Sequence, residues 1–103
     1  MWAQLITMRL KPGRDGDLPK LVAQLRATEQ PGSGLVRSTA MRDQKDPSRV
    51  SFLVVFESEE QARTRENDPR RQEGLTEARA TMADIFDGAP EFVDFVIVDE
   101  NAG

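Results

Sequence analysis

The segment Arg49–Glu57 is apolar on both of its faces. Val50, Phe52, Val54 and Phe56 alternate along one side, while Leu53 and Val55 occupy the other beside Ser51 and Glu57. Successive strand side chains point to opposite faces, so a strand of this composition belongs inside a sheet with neither face left to water. The same holds for Phe92–Asp99, where Phe92, Asp94, Val96 and Val98 alternate against Val93, Phe95 and Ile97. Trp2–Leu10 reads as a third strand, with Trp2, Gln4, Ile6, Met8 and Leu10 opposite Ala3, Leu5, Thr7 and Arg9. Gly34–Asp43 is the fourth, joined to Arg49–Glu57 through Gln44-Lys45-Asp46-Pro47-Ser48, which has the turn chemistry of a hairpin.

Helices are expected between these strands. Lys11-Pro12-Gly13 stops the first strand, Asp15 or Asp17 can cap a helix that tolerates Pro19 in its first turn, and Leu18, Leu21, Val22 and Leu25 form its apolar stripe. That helix ends before Pro31-Gly32. Ser58 with Gln61 three residues later has capping-box spacing and starts a short helix to about Asn67, which Asp68-Pro69 interrupts. A longer helix runs from about Arg70 to Phe86 on a stripe of Leu75, Ala78, Met82, Ile85 and Phe86, and Asp87-Gly88-Ala89-Pro90 is expected to end it as a turn.

The order strand, helix, strand, strand, short helix, helix, strand predicts an α+β fold: a ferredoxin-like split β-α-β with a four-stranded antiparallel sheet. Crossovers of one hand place all helices on one side of the sheet, leaving its second apolar face uncovered. A second copy packed sheet to sheet would cover it, so the expected partner is the chain itself in a homodimer. Val96 and Val98 are candidates for that interface. Which alternation set meets the helices stays open, because both are apolar. Residues 1–100 are expected to form a single domain, with 101–103 as a frayed tail.

Composition removes whole classes of chemistry. The chain has no cysteine, histidine or tyrosine, so disulfides, thiolate nucleophiles, zinc fingers and imidazole proton shuttles are excluded. An acid or base near neutral pH must be a shifted carboxylate, one of three lysines, water or the substrate itself. A net charge of −4 with interspersed cations argues against nucleic acid as a partner. No run reaches the ~18 apolar residues of a membrane helix, and no leader pattern is visible, so the expected location is cytoplasmic with no membrane partner. No metal site or cofactor is expected.

Several short segments together resemble the antibiotic-biosynthesis-monooxygenase domain of the dimeric α+β barrel superfamily. They are Leu10-Lys11-Pro12-Gly13, Arg42-Asp43 before Asp46-Pro47, Phe56-Glu57-Ser58-Glu59-Glu60-Gln61-Ala62, Asn67-Asp68-Pro69, and Gly88-Ala89-Pro90-Glu91. The resemblance implies a dimeric α+β barrel. It includes cofactor-independent monooxygenases acting on polycyclic aromatics and quinols, and haem-degrading enzymes. An aromatic that is often tryptophan in the family is Phe56 here, and the asparagine, tryptophan and histidine of the haem-degrading branch fall near Ile6, Arg65 and Leu75. With no histidine, proximal-histidine haem ligation is impossible.

The resemblance further implies a cavity inside each protomer, between sheet and helices. Its candidate polar contributors are Gln4, Arg65, Asn67 and Arg79, with Trp2, Phe52, Phe56, Met82 and Phe86 as apolar walls. Arg37 and Asp94 are a candidate charge pair if their strands meet. Two functions stay open: a cofactor-independent monooxygenase-like protein for a small hydrophobic or aromatic, quinol-like molecule, or a noncatalytic dimeric ligand-binding or interaction module. An open pocket containing Asn67 or Arg79 favours the first, and one filled by Phe52, Phe56 and Met82 favours the second.

Overall fold

The computed structural model describes all 103 residues. Strands β1 (Trp2–Leu10), β2 (Leu35–Arg42), β3 (Arg49–Phe56) and β4 (Phe86–Val96) form one antiparallel sheet in the order β2-β3-β1-β4. Helices α1 (Leu18–Arg26), α2 (Glu59–Glu66) and α3 (Pro69–Ile85) occupy the connections. This is the ferredoxin-like arrangement that the element order predicts, and the two-faced strand β3 is central, between β2 and β1.

Directly opposed residues of antiparallel neighbours share a face. The pairs Trp2–Phe56, Ile6–Phe52 and Met8–Val50 therefore define one row. Helices cover this row: Met8, Leu10, Val50 and Phe52 pack with Leu21 of α1 and with Leu75, Ala78 and Ile85 of α3, while Trp2 and Phe56 close on Ala62 of α2. The opposite row carries Ala3, Leu5, Leu53, Val55, Val93 and Phe95, and none of these six joins a core cluster with a helix.

Part of that open face is shielded by the chain's own end. Ile97 donates its backbone N–H to the Met1 carbonyl at 3.0 Å, and Glu100 forms an ion pair with Arg37. Arg37 lies on β2 opposite Val55, at the far edge of the sheet from β4. Those edges are about 14 Å apart at ~4.8 Å per strand, so residues 97–100 must cross the open face, and Ala3 and Val55 are buried there. Arg37 and Asp94 do not pair. Asp94 stands opposite Gln4 on the helix side, whereas Arg37 projects from the open face, so each finds a partner on its own side.

Two local expectations change. Strand β4 begins at Phe86, six residues before the expected Phe92, because Asp87-Gly88-Ala89-Pro90 is absorbed as a bulge rather than a turn. Between Thr7 and Arg9 the partner position shifts from Glu91 to Asp87, and Gly88 takes the positive φ of 73° that accommodates the extra residues. Helix α1 lacks the expected side-chain cap, since the Asp17 carboxylate accepts a 2.7 Å hydrogen bond from Arg14 Nε instead. The Ser58 cap forms as expected, with Oγ accepting from the Gln61 N–H at 3.2 Å. Asp68, expected only to interrupt the short helix, in addition caps α3 ahead of Pro69 by accepting from the Arg70 N–H.

Four hydrogen-bonded surface carboxylates contribute to stability in a pH-dependent way. Backbone N–H groups of Asp46 and Lys45 hold Asp43 below its ordinary value, the Ser48 hydroxyl does so for Asp46, Arg70 for Asp68 and Arg14 for Asp84. A carboxylate whose folded pKa is depressed adds stability above its unfolded pKa and loses it as pH falls through the folded value. With no histidine to titrate, thermal melts should give a Tm nearly constant from pH 8 to 5 that declines below about pH 4. A decline already under way at pH 6 would contradict this assignment.

Candidate ligand site

A cleft of about 830 Å³ opens between α1 and the helix-side row of β2 and β3. Its size falls within the roughly 300–1,000 Å³ of small-molecule sites. Leu18 and Val22 of α1 form one wall, Ala40 and Arg42 of β2 the other, and Val50 and Phe52 the floor. The cleft exists because of where α1 leans and how small its neighbours are. Leu21, fully buried, ties α1 into the main core beside α3. Thr28, just beyond α1, packs against Gly74 of α3, where an added Cβ would lie 3.2 Å from the Thr28 methyl. On the β2 side the facing positions are Ala23 and Ala27 of α1 and Ala40 of β2. Alanine side chains are too short to close the gap.

No aspartate or glutamate lines this cleft. Its two charged residues are Arg26, the last residue of α1, and Arg42. Arg42 is engaged, donating from Nε to the Pro47 carbonyl at 3.0 Å and from Nη2 to Asp15 at 3.2 Å. Arg26 takes part in no ion pair. Sequence reading missed Arg26, although Leu18, Val22 and Arg26 recur every fourth residue and so share one helix face.

The candidate residues named from sequence are not gathered around one cavity. Phe52 forms part of the cleft floor, and Met82 packs against the same core from α3. Phe56 is buried in the smaller cluster, where the Arg65 guanidinium lies 5.2 Å from its ring centre while pairing with Glu29. Gln4 lies on the helix side toward β4, donating to Asp94 at 2.9 Å. Arg63 completes that cluster, 3.2 Å from Asp94 and 5.1 Å above the Trp2 ring centre. Beside it Phe92, opposite Ile6, is 58% exposed. Asn67 and Arg79 face outward: Asn67 caps α2 by donating to the Arg63 carbonyl at 3.0 Å and borders a shallow polar hollow, and Arg79 donates to Gln72 at 2.5 Å.

Val96 and Val98 occupy different sides. Val96 stands opposite Trp2 on the helix-side row and is 78% exposed, whereas Val98 rides on the segment crossing the open face and is 95% exposed. No group of three His, Cys, Asp or Glu side chains is placed to hold a metal ion, and no helix is long and apolar enough to cross a membrane. Burial, and after it the Arg65 charge, lowers the Arg71 guanidinium from its ordinary value, and its Nε has no partner.

The sequence pattern of the antibiotic biosynthesis monooxygenase family matches residues 1–84. No curated protein matches significantly. Among solved structures, a point mutant of MhuD with two manganese protoporphyrin IX molecules per active site superposes with a TM-score of 0.81 at 17% identity, covering 100% of each chain. SnoaB from Streptomyces nogalater, described as a cofactor-independent oxygenase and likewise solved as a point mutant, gives 0.72 at 17% identity over 96% of this chain and 94% of that one. A candidate antibiotic biosynthesis monooxygenase from Chloroflexus aurantiacus J-10-fl gives 0.69 at 23% identity over 99% and 98%. At these identities the likeness establishes the fold.

Proposed function

Because the chain belongs to the antibiotic biosynthesis monooxygenase family, we propose that it binds a small hydrophobic, aromatic molecule between its sheet and helices and oxygenates it without metal or flavin. The working form is taken to be a cytoplasmic homodimer. The observation that carries the reading is the apolar cleft beneath α1, floored by Phe52 and free of carboxylates. SnoaB, of the same fold, supplies a precedent for cofactor-independent chemistry.

The chemistry suits a substrate that provides its own electrons. A quinol- or anthrone-like compound loses a proton to give a carbanion, which bonds to one atom of dioxygen. After protonation, loss of water from the hydroperoxide leaves a new carbonyl. The protein's share is to position the ring and exclude water. With no histidine, the chain cannot ligate haem iron through a proximal imidazole.

Oxygen uptake across a panel of quinols and anthrones tests catalysis. With no imidazole, phenol or thiol available, the rate is expected to rise with pH along the substrate's own ionisation, without a descending limb between pH 6 and 9. Uptake no faster than the uncatalysed reaction for every compound would remove the enzyme reading. The noncatalytic binding or interaction module is the second reading, supported by the outward placement of Asn67 and Arg79 and the burial of Phe52 and Phe56. Calorimetric binding of the same compounds without turnover would favour it.

A further inference from the structure

We propose that the cleft beneath α1 selects amphipathic carboxylates, with Arg26 as the contact for the anionic head and the floor around Phe52 as the seat of the apolar body. This deepens the ligand-site reading and rests on it. The cleft is one-sided in charge: its lining has two arginines and no acid. Of these, Arg42 already gives Nε to the Pro47 carbonyl and Nη2 to Asp15, whose carboxylate offsets its charge.

Arg26 is different. It is exposed, has no ion-pair partner, and sits at the mouth of an otherwise apolar wall formed with Val22 and Ala27. A guanidinium presents two parallel N–H donors that match the two oxygens of a carboxylate. A single free cation beside an apolar floor matches one negative charge attached to an apolar body better than it matches a neutral ring or a cation.

Isothermal titration calorimetry at pH 7 and low salt separates these cases with three probes sharing one ring system: 2-naphthoate, 2-naphthol and 2-naphthylmethylammonium. Naphthoate is expected to bind about tenfold tighter than naphthol, and the ammonium most weakly. Arg26→Gln should bring naphthoate to the level of naphthol while leaving naphthol unchanged. Ala40→Phe, which fills the cleft opposite Phe52, should abolish both. Arg26 and Ala40 are exposed, so both variants are expected to fold.

Equal binding of naphthoate and naphthol, unmoved by Arg26→Gln, overturns the carboxylate assignment and leaves the hydrophobic-ligand reading standing. Absence of binding by all three probes overturns both. Binding that survives Ala40→Phe places the ligand elsewhere and overturns the assignment to this cleft.

Discussion

Phe95→Lys is expected to weaken a dimer of this protein by several kcal/mol, about 10²–10³-fold or more in Kd, the scale of leaving a charge buried and unpaired at an interface. Phe95 stands opposite Ala3 on the sheet face that no helix packs, and it is 45% exposed in the single chain. Val93 on the same row and Val98 on the crossing segment are exposed beside it. A second copy laid against this face would bury all three. Since Phe95 contributes to neither core cluster, its replacement should leave the monomer folded. Light scattering or sedimentation across a concentration series reads the result directly. Val98→Lys should act in the same direction. Val96→Lys discriminates, because Val96 lies on the helix-side row: an effect as large as that of Phe95→Lys would move the seam to the β4 edge. A variant Phe95→Lys whose mass stays dimeric at every concentration would sink the open-face assembly.

How far the sequence carried the description depends on the range of the interactions. Strand β3 was legible because period-two alternation is a local property, and Ser58 with Gln61 because a capping box spans one helical turn. The bulge in β4 was not. Gly88 and Pro90 have turn chemistry, and only pairing with β1 turns that stretch into extended structure. The face that meets the helices was hidden for a related reason, since Leu53 and Phe52 are equally apolar and only the packing of Leu21, Leu75 and Ile85 distinguishes them. The candidate site was less legible still. Gln4, Asn67 and Arg79 were placed by analogy and lie apart, whereas the cleft arises from absence, in the small side chains of Ala23, Ala27 and Ala40. Nor could composition reveal that Glu100 reaches back to Arg37 across the sheet.

Leu21 connects stability to that cleft. It is the one buried residue of α1, 0% exposed, and joins a core that includes Phe52, Ala78 and Ile85. Nine residues make a marginal helix in water, so α1 keeps its place through this anchor and its neighbours rather than through propensity. Leu21→Ala removes buried methyl groups and leaves a void, which costs about 2–5 kcal/mol, depending on how far the surroundings relax. For a domain of this size that corresponds to a Tm lower by roughly 10–20 °C. Val22→Ala, one position along on the half-buried cleft wall, should cost on the order of 1 kcal/mol because its site already borders solvent. Both should be measured at one protomer concentration, since any association of copies would add to apparent stability. Hydrogen exchange adds the functional half of the test: Leu21→Ala should accelerate exchange of the α1 amides first, because the anchor lost is the one that fixes the cleft wall. If the two variants melt alike, Leu21 does not hold α1, and the cleft owes its shape to something else.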